Sequence, residues 1–129
     1  MTASSTLKSK ALALTAMVMT IALPSSVLAH HSFAMFDSTK VVVLDGVVRD
    51  FQWTNPHSWI QLVVPESGRP TEYSIEMGSP NNYSRHGWSR NSLKAGDHIK
   101  ASIHPRKDGS KGGSFVKVVK ADGTVLGYE

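Results

Sequence analysis

Apolar and polar residues alternate along two stretches of the chain, residues 72–77 and 98–104. A period of two residues is typical of β-strands that bury one face. Three further stretches are rich in Val, Ile and Phe and are bounded by turn residues, so they are also predicted to be strands. The predicted strands are 40–53, 58–64, 72–77, 98–104 and 114–120, with a short terminal strand after Asp122-Gly123.

The segments between these strands predict turns, a loop and one helix. Gly46 predicts a bulge in a long first strand, and the Pro in 54–57 predicts a turn. Residues 65–70 are expected to form a hairpin loop, and 105–113 a flexible loop. Ser79 followed by Pro80 has the pattern of a helix start, which predicts a short or broken helix over 79–93.

The predicted order of elements is β-β-β-α-β-β. Five strands with one helix between the third and the fourth is the order of the OB-fold, a small Greek-key barrel. The expected fold is therefore all-β with one short helix, an OB-like five-stranded barrel. A small open β-sandwich is the alternative architecture.

The first 29 residues have the pattern of a signal peptide. Lys8 and Lys10 precede the uncharged apolar stretch 11–23, and small residues lead to Ala29. Cleavage after Ala29 predicts a periplasmic protein with one domain, residues 30–129, and no membrane attachment. The net charge of +4 falls to +2 without those two lysines, and the other charges are scattered, which argues against nucleic-acid binding.

Several motifs of the predicted mature chain resemble the domain-of-unknown-function family 6152. The resemblance extends over nearly the whole mature chain and implies a periplasmic setting, but it brings no activity. The motifs that carry it are His30-His31-Ser32-Phe33, Gly46-x-Val48, Phe51-x-Trp53-x-Asn55-Pro56-His57-Ser58, Gly87-Trp88 and Leu93-Lys94-x-Gly96-Asp97.

The predicted mature N-terminus suggests a copper site. Its α-amine and the His30 imidazole can chelate one ion, and His31 offers a second mode through its amide and imidazole. Cu(II) favours such nitrogen ligands. His57, in a turn held by Pro56, is the expected further ligand, and Met35 is a soft candidate for Cu(I). An incidental, solvated His pair is the alternative interpretation.

A second hypothesis places a protein-binding or small-ligand-binding surface around Trp53, Asn55 and Trp59. Burial of the tryptophans in the core is the alternative. The sequence contains no Cys, no Gly-x-Ser-x-Gly elbow, no HExxH and no Gly-rich phosphate loop. The carboxylates of Glu72 and Glu76 are expected to lie on a solvated strand face. The protein is therefore expected to bind a ligand without transforming it.

The remaining histidines are not expected to form a metal site together. His98 and His104 lie six residues apart on one predicted strand. This spacing separates them by roughly 20 Å, so they cannot share an ion. Both are expected to be polar surface residues, and His86 is expected to be a surface or packing residue.

Overall fold

A computed structural model describes residues 33–128, which form a β-barrel with a short helix. The helix, α1, spans Pro80–Ser84 and lies between the third and fourth strands. No helix within residues 33–128 has the length and apolar character needed to cross a bilayer. The strands are β1 Val42–Gln52, β2 Trp59–Glu66, β3 Arg69–Glu76, β4 His98–Pro105, β5 Gly112–Lys120 and β6 Val125–Gly127.

The strands are arranged in the order β3-β2-β1-β4-β5-β6, and β3 also pairs with β5. The β3–β5 pairing is parallel, whereas the other neighbouring strands are antiparallel. This pairing closes five strands into a mixed barrel, with β6 added to the outer edge of β5. The predicted OB-like barrel with one short helix is confirmed, and the open-sandwich alternative is wrong.

The barrel interior is filled by the apolar residues of the alternating pattern. Ile75, Ile99, Ala101 and Ile103 are buried as predicted, whereas Tyr73 is only half-buried. Helix α1 begins as predicted, because the Ser79 hydroxyl accepts a hydrogen bond from the Asn82 amide. The helix and the turns after it add Tyr83, Trp88 and Leu93 to the same core.

The predicted bulge at Gly46 is wrong, since the register shift in β1 lies between Val48 and Asp50. Gly46 pairs regularly with Ile99 on β4. A Cβ at Gly46 would lie 2.4 Å from the carbonyl oxygen of Val63. Glycine is therefore required at this position because β2 crosses close to the backbone of β1.

Two predicted loops are shorter than expected. Strand β2 continues to Glu66, and β3 already begins at Arg69. Only the two-residue turn Ser67-Gly68 joins them. Both turn residues have positive φ, as a tight hairpin turn requires. The predicted flexible loop 105–113 is also partly wrong, because Gly112 and Gly113 are buried residues of β5 that pair with β3.

Acid is expected to destabilise the fold partly through Asp37. The Thr39 hydroxyl donates a hydrogen bond of 2.6 Å to this carboxylate, and Lys40 lies 3.0 Å from it. Because these contacts favour the charged form, they lower the pKa of Asp37 from 3.8 to about 2. A lowered pKa contributes stability above pH 3.8, and that contribution is lost as the pH falls through 2.

Urea unfolding measured between pH 5 and pH 2 checks this expectation. The Asp37→Asn variant should lose less stability over this range than the wild type, because it lacks the titrating carboxylate. The difference should shrink in high salt, since Asp37 contacts an exposed Lys40. Equal losses in the two proteins would contradict the assignment.

Candidate functional site

A row of outward-facing residues crosses four strands of the barrel. Trp59 on β2 is the register partner of Glu76 on β3, and Glu76 is the partner of Ser114 on β5. Ser114 in turn pairs with His104 on β4. Directly opposite residues of neighbouring strands project from the same face of a sheet. The barrel closure therefore brings Trp59, Glu76, Ser114 and His104 into one transverse row.

Glu76 is the residue of this row whose predicted exposure to solvent is wrong. Its partner on the same strand face, Glu72, is exposed and forms an ion pair with Arg49, as a solvated face would. Glu76 is instead 7% exposed, and one of its carboxylate oxygens lies 3.3 Å from Nδ1 of His57. The alternation correctly predicts that Glu76 points out of the barrel, but it does not reveal that the barrel closure and the turn before β2 cover this end of β3.

His57 is held in place by the end of β3. The turn before it contains a cis Asn55–Pro56 peptide bond, and the Thr54 hydroxyl donates to the His57 carbonyl. The Ser58 amide donates a 3.0 Å hydrogen bond to the Gly78 carbonyl. The Ser58 carbonyl accepts a 2.9 Å hydrogen bond from the Met77 amide. These contacts join the turn to the strand that carries Glu76.

The hydrogen bonds of the His57 ring define which nitrogen carries a proton in the neutral form. Nδ1 lies 3.1 Å from the Met77 carbonyl oxygen, which can only accept, so Nδ1 donates. Nε2 then keeps its lone pair, and the side chain is 28% exposed. Metal-binding histidines have the same arrangement, with one ring N–H donated to a carbonyl or carboxylate.

The three residues of the predicted binding surface have different surroundings. Trp59 is half-buried on the outer face, in register with Glu76. Asn55 is exposed in the cis turn. Trp53 is half-buried, and its ring centroid lies 5.7 Å from that of Phe51 at the edge of the core. The structure therefore brings Trp59 near His57 and Glu76, while Trp53 packs towards the interior.

The third tryptophan belongs to the core. Trp88 is 2% exposed, and its indole N–H donates a 2.8 Å hydrogen bond to the carbonyl of Gly127. Its ring meets Tyr83 and Phe115 edge to face, with centroids 5.9 and 5.2 Å away. Core packing, the alternative interpretation of the tryptophans, is correct for Trp88.

A cleft of about 930 Å³ lies beside Glu76. Its polar lining includes Glu76, Ser102, His104 and Ser114, and Phe33 from the start of the described chain also lines it. The rest of the wall is mainly aromatic and aliphatic, but it also contains the side chains of Asn82 and Lys117. Burial raises the pKa of Tyr83, one of these wall residues, to about 12.

The other histidines have separate surroundings. Nε2 of His98 lies 2.5 Å from Asp45, and Nδ1 of His104 lies 2.7 Å from the Lys40 carbonyl oxygen. The exposed ring of His86 stacks on Tyr128. Within residues 33–128, no three His, Asp or Glu side chains are grouped so that they can hold a metal ion. His30 and His31, the other predicted copper ligands, lie outside the described residues, as does the predicted signal peptide.

Comparisons with known proteins support the family resemblance. No curated protein and no solved structure matches this chain. The model of DUF6152, a family of unknown function, matches residues 17–116 and so extends over most of the chain. The resemblance expected from the sequence motifs is confirmed: the chain belongs to this family of unknown function.

Proposed function

We propose that this protein is an exported, non-catalytic binding protein that takes a copper ion at its mature N-terminus. Cleavage after Ala29 exposes the α-amine of His30, which together with the His30 imidazole forms a chelate. The amide and imidazole of His31 provide the second mode. His57 is the ligand that the folded barrel contributes, and the expected location is the periplasm.

The observation that carries this proposal is the fixed orientation of the His57 ring. The hydrogen bond from Nδ1 to the Met77 carbonyl, with Glu76 beside it, leaves Nε2 as the nitrogen that can donate electrons to a metal. A held imidazole loses little conformational freedom when it binds an ion, which favours affinity over a mobile side chain. An N-terminal His pair alone has no such preorganised partner.

The ligand types favour copper over harder cations. Amine and imidazole nitrogens in tetragonal geometry suit Cu(II), whereas carboxylate-rich sites suit calcium or magnesium. Met35 is a soft ligand for Cu(I), and its side chain is 43% exposed. The Met35 carbonyl accepts a hydrogen bond from the Lys107 amide, which tethers this part of the chain to the loop between β4 and β5.

The test is a Cu(II) titration followed by electron paramagnetic resonance, on protein purified from the periplasm with its native start confirmed by mass spectrometry. We expect one tight site with a nitrogen-rich spectrum. Acetylating the α-amine should abolish the chelate, and His57→Ala should weaken binding by at least about tenfold, since it removes a ligand.

His98→Ala is the matched control, because His98 is an exposed histidine that is held by Asp45. It should leave the affinity and the spectrum unchanged. Weak binding in the wild type, or binding that His57→Ala does not alter, would contradict a dedicated site and make the N-terminal His pair incidental.

A second candidate function is protein or small-ligand binding on the outer face around Trp59. Beside this residue, the Ser74 hydroxyl donates to Gln61, and the Gln61 amide donates to Gln52. Such an ordered polar row next to a half-buried indole favours a binding surface. Trp53 and Asn55 would then lie at its edge, and this function becomes the leading one if copper binding proves independent of His57.

A further inference from the structure

Ser102 is a polar residue of the cleft that lacks a protein partner. It lies on the outer face of β4 and is only 5% exposed. Its hydroxyl forms no hydrogen bond with any other residue in the described part of the chain, yet it lines the cleft. The fully enclosed side-chain polar atoms without a partner in the described chain are Ser58 Oγ and Arg106 Nε, so the Ser102 hydroxyl keeps some access to the cleft. A ligand in the cleft can therefore form a hydrogen bond with it.

Two more polar groups on the same face have unused hydrogen-bonding capacity. His104 follows Ser102 by two residues on β4, so both side chains project from the same face, about 7 Å apart. The Nδ1–H of His104 is donated to the Lys40 carbonyl, which leaves Nε2 as an acceptor in the neutral ring. Ser114 is the register partner of His104, and its hydroxyl has no partner within residues 33–128 either.

The rest of the cleft is mainly apolar. Phe33 and Tyr128 are 59% and 48% exposed, and Val41 and Val125 are exposed by more than half. All four side chains line the cleft. Exposed apolar groups around a few convergent polar groups are typical of small-molecule sites, whose volumes range from about 300 to 1,000 Å³. The volume of about 930 Å³ falls in this range.

The charges at the cleft favour an uncharged ligand. The two side chains of opposite charge in its lining are Glu76 and Lys117. Glu76 is already close to His57, and Lys117 is exposed to solvent. No excess of either charge is therefore presented to a bound molecule by the described lining. Its uncharged polar groups suit a neutral hydroxyl group instead; they belong to Asn82, Tyr83, Ser102, His104, Ser114 and Tyr128.

We infer that the cleft is a binding site for a small uncharged ring compound that carries a hydroxyl group. The ring would contact Phe33, Val41 and Tyr128. The hydroxyl would donate to Nε2 of His104 and accept a hydrogen bond from Ser102. Binding at this site does not depend on a bound metal.

The inference is tested by NMR titration of the metal-free protein with phenol, toluene and benzoate. These probes share a benzene ring but differ in having a hydroxyl, no polar group or a negative charge. Phenol should shift the amide signals of Ser102, His104 and Ser114, and it should bind about tenfold more tightly than toluene, as one good hydrogen bond allows. Benzoate should bind no better than toluene.

Ser102→Ala should weaken phenol binding about fivefold and leave toluene binding unchanged. The variant should fold as stably as the wild type, because the hydroxyl that it removes makes no hydrogen bond with described residues. Ser38→Ala, which alters an exposed serine outside the cleft, is the control and should change neither affinity.

Three results would overturn the inference. Equal affinities for phenol and toluene in the wild type would show that the polar groups do not bind the hydroxyl. If Ser102→Ala still binds phenol more tightly than toluene by the same factor, the proposed hydrogen bond from Ser102 to the ligand is excluded. An absence of shifts at the cleft residues would mean that the cleft does not admit the probe.

Discussion

Replacing Gly113 with alanine is expected to disrupt the closure of the barrel. A Cβ at this position would lie 2.3 Å from the carbonyl oxygen of His104 and 2.8 Å from the side chain of Ile103. Gly113 pairs with Pro105 on β4 and with Ile75 on β3, so the strain falls where β5 joins the two strands. Backbone atoms cannot move aside without breaking these pairings.

We expect Gly113→Ala to destabilise the protein by about 3 kcal/mol or more, at or beyond the upper end of the usual overpacking range. This is a large fraction of the 5–15 kcal/mol that typical domains possess (about 0.1 kcal/mol per residue). Urea unfolding gives the loss of free energy, and amide hydrogen exchange should show faster exchange at Ile75 and Glu76 than in the wild type.

Ala121→Val provides the control for Gly113→Ala. It adds apolar volume at an exposed position directly after the same strand, and it should change the stability by less than about 0.5 kcal/mol. A Gly113→Ala variant that is as stable as this control would mean that β4 and β5 do not approach as closely as described.

Replacing Trp88 with alanine is expected to remove the largest side chain of the core cluster. Trp88 is 2% exposed and meets Tyr83 and Phe115 edge to face, and it also contacts Phe51. Truncating such a residue leaves a cavity and costs about 3–5 kcal/mol. The carbonyl of Gly127 loses its indole partner as well, so β6 should detach more readily from β5.

Trp88→Phe separates the effect of losing the ring contacts from the effect of losing the indole hydrogen bond to Gly127. It keeps most of the ring contacts but removes the indole N–H, so it should cost clearly less than Trp88→Ala while still loosening the C-terminal segment. Chemical denaturation measures both losses, and hydrogen exchange at Leu126 reports on the β5–β6 pairing. Equal stability of Trp88→Ala and the wild type would contradict the core position of this residue.

Much of the barrel could be predicted because its strands have one buried and one outward face. Ile99, Ala101 and Ile103 alternate with polar residues, and this period alone identifies β4 and its inward side. The start of α1 was predictable for a similarly local reason, since Ser79 and Pro80 act on the first turn of the helix itself.

The errors arise where residues far apart in the chain meet. Gly46 looked like a bulge, but it is required by the close approach of Val63, which lies 17 positions later. Gly112 and Gly113 looked like flexible loop residues, but both lie at the closure with β3, where a Cβ would meet backbone oxygens. No local pattern distinguishes a glycine that allows a turn from one that allows two strands to touch.

The candidate site likewise has some features that local sequence predicts and others that only the tertiary structure reveals. The prediction of His57 as a ligand rests on its proline-containing turn, which suggests a held imidazole, and the hydrogen bond to Met77 supplies a physical basis for it. The sequence predicts solvated faces for Glu76 and His104, since alternation tells only which face a residue is on. Whether an outward face stays in water depends on what covers it.

The sequence by itself therefore determined the strands, the face of the barrel on which most side chains lie, the helix start and the family. Those properties follow from residue type and near neighbours along the chain. Only the tertiary structure decided that Trp59, Glu76, Ser114 and His104 form one row beside a cleft. That row exists because the parallel pairing of β3 with β5 closes the barrel, and strand register over such distances is set by packing and not by local sequence.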